Sequence, residues 1–144
     1  MTTIRVARTY DASAIAALGA QLGYPATRTE IAARLAGIES EPNARVFVAE
    51  NANGEVIAWL HVGARAQLTE DASAEILGLV VDEAVRGAGV GSVLLDAAES
   101  WARKLGCARL RVRSRVEREL AHRFYQRAGY ARVKTQAVLA KSLV

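Results

Sequence analysis

Three glycines at alternate positions, 87, 89 and 91, lie between an apolar run of strand length and an amphipathic helix, in R86-G-A-G-V-G-S92. This junction constrains the fold strongly: a strand, a glycine turn and a helix in that order open a βαβ unit. The preceding run, A74-E-I-L-G-L-V-V-D82, is mostly apolar and predicts a strand buried on both faces, with Gly78 marking a bulge that leaves part of its backbone free. After the glycines, Val90, Leu94, Ala97, Trp101 and Leu105 fall toward one side of a helix that Gly106 closes. A108-R-L-R-V-R113 then supplies the second strand of the unit.

The remainder of the chain reads from its periodicities. I4-R-V-A-R8 alternates as a short strand, Asp11 caps a helix carrying Ile15, Leu18 and Leu22, and T27-R-T-E30 is a capping box for a second helix with Ile31, Leu35 and Ile38. Residues 45–50 and 56–65 form a hairpin around Asn53-Gly54, followed by a polar connection over 69–73. A further helix is predicted over 116–128, and Y130-A-R-V133 and A137-V-L-A-K141 read as two last strands. The result is an α+β fold with one mixed sheet. At 144 residues it fits one domain, 1–144, with one active site.

Composition narrows the functional classes. The lone Cys107 and the distant His61 and His122 provide no metal-ligand spacing, so no metal is expected. No apolar stretch approaches the ~20 residues of a membrane span, no secretory pattern opens the chain, and a cytoplasmic location is the default expectation. Nineteen Lys and Arg against fifteen Asp and Glu give a net charge of +4, with the excess in the C-terminal half. That suits an anionic ligand. Nucleic acid is one such ligand, but no aromatic-basic platform supports it.

The glycine junction suggests which anion. Backbone N–H groups converge where the chain turns sharply into a helix, and the helix dipole adds about half a positive charge there. Arg86 brings a planar donor for phosphate oxygens. A Walker loop would place a lysine after the last glycine, whereas Gly91 is followed by Ser92. A dinucleotide fingerprint would read G-x-G-x-x-G, whereas this run is G-x-G-x-G.

With Arg86, Gly89 and Gly91 matching Q/R-x-x-G-x-G/A, and A121-H-R-F-Y-Q-R-A-G-Y130 matching A-x-x-F-Y-x-x-x-G-F/Y, the chain resembles the GCN5-related N-acetyltransferase (GNAT) superfamily. The resemblance implies a mixed, mostly antiparallel sheet splayed between strands 4 and 5 and flanked by about four helices. It implies acetyl-CoA as co-substrate. The pantetheine arm would lie along Leu79, Val80 and Val81, and the pyrophosphate on Arg86, Gly87, Ala88, Gly89, Val90, Gly91 and Ser92. Dimers are common in the family, and the last strands would offer the interface for a homodimer.

For catalysis the resemblance points to Tyr125 as proton donor to the departing thiolate and to Glu75 as a carboxylate acting on the acceptor amine. A backbone N–H on the splayed strand, at Val81, would polarise the thioester oxygen. Arg118 departs from an asparagine frequent in the family. His61 shares a sheet face with Trp59 that would line the acceptor pocket, while His122 and Cys107 read as packing residues. Tyr24, Glu30, Glu70 and Asp71 make an acidic pocket for a cationic amine conceivable. A small-molecule primary amine is the expected acceptor. The alternatives are a protein N-terminus or lysine, or a module that binds acetyl-CoA without catalysis.

Overall fold

A computed structural model describes all 144 residues, in two compact units, Met1–Val112 and Arg113–Val144. The first unit holds β1 (Thr3–Val6), α1 (Ala12–Gln21), α2 (Arg28–Glu39), β2 (Ala44–Glu50), β3 (Val56–Gln67), β4 (Glu70–Val81), α3 (Val90–Lys104) and β5 (Arg109–Val112). Single 3-10 turns at Thr9–Asp11 and Glu83–Val85 lead into α1 and toward α3. The sheet order is β1-β2-β3-β4-β5, antiparallel throughout except for the parallel β4–β5 pair that the α3 crossover requires.

Local chemistry explains most of these boundaries. Thr27 accepts from the Glu30 N–H at 3.1 Å while the Glu30 carboxylate accepts from the Thr27 N–H at 3.0 Å, the reciprocal cap expected for α2. In the β2–β3 turn the Asn51 side-chain oxygen accepts from the N–H groups of Asn53 and Glu55, both at 3.0 Å. Asp11 precedes α1 but makes no side-chain cap to it. Its carboxylate instead accepts two bonds of 2.8 Å from the Arg5 guanidinium and one of 2.7 Å from the Arg8 N–H.

Alternation along β3 divides the core into two layers. Val46, Val48 and Trp59 lie on the face covered by α1 and α2, where they pack with Ile15 and Leu35. Leu60 and Val62 point to the other face and are fully buried; α3, the remaining helix of this unit, covers them with Leu94 and Leu95. Each of these leucines contributes about 1.5–3 kcal/mol by leaving water.

Three expectations change here. The connection over 69–73 is largely strand, because the β3–β4 ladder continues to Gln67 opposite Glu70. The α3 core stripe includes Leu95, Ala98 and Ala102, while Leu105 at the C-cap is exposed. Strand β4 is not buried on both faces: Leu77 is exposed, and Leu79 and Val81 are half-buried.

The second unit contains α4 (Glu119–Arg127), which starts three residues later than the periodicity predicts, since Arg118 is its N-cap. Its end is a Schellman closure: the Tyr130 N–H donates to the Tyr125 carbonyl at 2.9 Å and the Gly129 N–H to the Gln126 carbonyl at 3.0 Å. The two last strands expected at 130–133 and 137–141 do not form. Residues 130–144 carry no ladder, and Val133, Val138, Leu139 and Leu143 are exposed. Alternation favours extended backbone, but a strand exists only where a second strand pairs with it.

Candidate active site

The site begins at an irregularity in β4. His61 pairs with Gly78 and Val62 with Ile76, so Leu77 is an extra residue, a β-bulge one position from the glycine expected to mark it. Pairing of β4 with β5 runs only from Ser73–Arg109 to Ile76–Val112. Beyond the bulge, β4 keeps β3 on one side and has no strand on the other. The sheet is splayed between strands 4 and 5, as expected.

Register decides which backbone groups face the opening. The Asp82 N–H donates to the Ile57 carbonyl at 2.9 Å, which makes 82–57 a hydrogen-bonded pair. Such pairs alternate in an antiparallel ladder, so Val80 also bonds to β3, opposite Trp59. Leu79 and Val81 therefore turn their N–H and C=O groups to the open edge. Of the three residues expected along the pantetheine arm, two present backbone there and Val80 does not. The Val81 carbonyl accepts from Arg86 Nε at 3.2 Å, which leaves the Val81 N–H at the edge.

The open edge leads into the start of α3. Gly87 and Gly89 have φ of 86° and 84°, a left-handed conformation costly for residues with a Cβ, and Gly89 is the helix N-cap. Val93 makes the first intrahelical bond, to the Gly89 carbonyl at 3.2 Å. The N–H groups of Val90, Gly91 and Ser92 precede it and have no helical partner, and no side chain caps them. Such a terminus attracts phosphate, and the exposed Arg86 guanidinium adds a cation beside it. A linear acyl carrier with a diphosphate fits this arrangement: amide groups of its arm would meet Leu79 and Val81, and its phosphates the turn over 86–92.

Glu75 lies on the same sheet face as His61 and Gly63, toward the other end of β4. Its carboxylate, mostly buried, pairs with Arg65 at 3.8 Å, and its partner on β5 is Arg111, which binds Glu70 at 2.5 Å. Neither arginine was among the residues expected at the site. The alternation of Arg109, Arg111 and Arg113 was a usable signal for Arg111; nothing local marked Arg65. Of the acidic acceptor residues suggested, Glu30 is engaged at its helix cap and Glu70 with Arg111, so that pocket is not a set of unengaged carboxylates. Burial holds the His61 imidazole below its usual pKa, although Glu41 opposes the shift, so the ring is neutral at pH 7.

Tyr125 belongs to the second unit. Its ring meets Phe124 edge-on at 5.0 Å between centroids and Tyr130 at 5.8 Å, and the Schellman bond from Tyr130 fixes the latter contact. Burial raises the phenol above its usual pKa, against the weaker effect of Arg118, so it retains its proton at neutral pH. His122 is held by structure: Nε2 lies 2.8 Å from the Arg115 carbonyl and Nδ1 3.2 Å from Arg132 Nη2.

A sheet split after a bulge, with an open strand edge running into an uncapped helix start, suits an acyl-CoA, and the family and relatives that the chain matches make it an acetyl-CoA-dependent N-acetyltransferase. The chain belongs to the acetyltransferase (GNAT) family, whose sequence pattern matches residues 12–130. It is similar to an aminoglycoside N(6')-acetyltransferase type 1 of Stenotrophomonas maltophilia, 31% identical with 89% of this chain and 85% of that one covered. An aminoalkylphosphonate N-acetyltransferase of Salmonella typhimurium is 35% identical over 88% and 83%. In fold it matches an aminoglycoside antibiotic 6'-N-acetyltransferase of Acinetobacter baumannii, with a TM-score of 0.87, 16% identity and complete coverage of both chains.

Proposed function

We propose that the chain transfers the acetyl group of acetyl-CoA directly to the primary amine of a small molecule, as one catalytic domain over 1–144. The observation that carries this reading is the open β4 edge at Leu79 and Val81 running into the α3 N-terminus. The names of the two relatives, both acting on small amines, support the acceptor class.

Acetyl-CoA supplies an activated acetyl thioester. The chain's own groups do the rest. Leu79 and Val81 hold the arm by backbone hydrogen bonds, and the N–H groups of Val90, Gly91 and Ser92, with Arg86, hold the phosphates. The Val81 N–H polarises the thioester oxygen. Glu75, paired with Arg65, takes the proton from the acceptor ammonium through water, and Tyr125 gives a proton to the departing thiolate.

Thiol release from acetyl-CoA, followed with a panel of aminoglycosides, aminoalkylphosphonates, polyamines and peptides, tests this. Turnover with a small primary amine is the expected result. Turnover confined to peptides would move the acceptor to protein, and tight acetyl-CoA binding without turnover on any amine would leave a binding module.

A further inference from the structure

Gly78 faces the α1/α2 side of the sheet together with Trp59 and His61. A Cβ built on Gly78 would lie 2.8 and 2.9 Å from Cζ3 and Cη2 of Trp59, closer than real Cβ atoms come to any neighbour. The indole thus reaches diagonally from its cross-strand partner Val80 and fills the space that a side chain at position 78 would take. The half-buried ring also packs against the core that includes Ile15, Leu35, Val46 and Val48. Nε1 of Trp59 is buried with no hydrogen-bond partner, so packing rather than polar contact holds the ring there.

This contact sits one residue from the bulge and directly before the segment whose backbone faces the opening. We infer that Trp59 is a positioning residue: the indole presses the bare backbone of Gly78 onto β3 and so fixes the direction in which the Leu79 and Val81 backbone groups point. Two features are coupled here, the missing side chain at 78 and the long rigid one at 59. A methyl group on residue 78 has to displace either that packed ring or the strand that carries the open edge. The inference rests on the reading of that edge as the CoA site.

Calorimetric titration of CoA into four proteins tests it: the wild type, Gly78→Ala, Trp59→Leu and the double variant, each shown folded by its melting curve. Gly78→Ala is expected to weaken CoA binding about tenfold or more, whereas adding Gly78→Ala to Trp59→Leu is expected to change it by about twofold or less, since Leu lacks the atoms that clash. A purely structural role would lower the melting temperature without this reciprocal rescue of affinity. Equal losses in both backgrounds, or wild-type affinity in Gly78→Ala, would overturn the inference. If Gly78→Ala alone does not fold, the double variant decides: it must bind CoA as Trp59→Leu does. A wild type that does not bind CoA defeats the site reading itself, a result distinct from a wild type that binds with no coupling between positions 59 and 78.

Discussion

Asp11 shows how a side chain read as a helix cap can have another task. Buried at 4% exposure, it accepts from Arg5 and from the Arg8 N–H, tying the end of β1 to the turn before α1. Burial alone would push its carboxyl up; the bonds from Arg5 and Arg8 and the charge of Arg5 outweigh that and hold it below the usual carboxylate range. A depressed folded-state value contributes stability that is present above the unfolded value near 3.8 and lost as pH falls through the folded one. Asp11→Asn should therefore flatten the acid limb of a urea-stability profile and, by leaving the buried position 11 without its charge-assisted bonds to half-buried Arg5, cost about 2–3 kcal/mol at pH 7. At Tyr125 the phenol lost in Tyr125→Phe should lower kcat roughly 100-fold with little change in acetyl-CoA KM, measured by steady-state thiol release. An unchanged kcat with chemistry shown to be rate-limiting would remove the tyrosine from the reaction. The motif around it was legible in the sequence, and Gly129 and Tyr130 acquire a physical reason in the structure: they close α4 so that the Tyr130 ring braces that of Tyr125.

Among the elements, the β4–α3 junction was the most readable, because each part of it is set by local chemistry. Glycine at a left-handed position, an uncapped first turn and a 3.6-residue apolar stripe are all visible within twenty residues. Gly89→Ala places a Cβ at φ 84° and should cost about 1–2 kcal/mol while weakening CoA binding by about tenfold through misdirected N–H groups, a pair of effects that melting curves and calorimetry read separately. Leu94→Ala, in the same helix but facing the sheet, should cost about 2–5 kcal/mol with CoA affinity unchanged in the folded protein. Less readable was the role of each residue along β4. Leu79, Val80 and Val81 look alike as three apolar residues, yet Val80 is held by β3 while its neighbours face the opening. Only the register with β3, set by the bulge at Leu77, separates them.

Across the whole molecule, no helix is long and apolar enough to cross a membrane. Protection should be uneven. Amides of β2, β3 and the β3-facing side of β4 should exchange only by global opening, whereas those of 133–141, which have no ladder, should exchange close to the rate of unstructured chain in deuterium-exchange mass spectrometry. Protection over 137–141 would show instead that a strand covers them. By itself the sequence determined the capping box of α2, the Asn53-Gly54 hairpin, the strand-turn-helix order and the glycine turn, since each depends on residues within a few positions of one another. The tertiary structure alone decided which edge of β4 stays open, that Arg65 and Arg111 accompany Glu75, that Trp59 occupies the space above Gly78, and that the alternating pattern of 130–141 makes no ladder. Those outcomes depend on which strand lies beside which, a matter of partners far apart in sequence that no local pattern encodes.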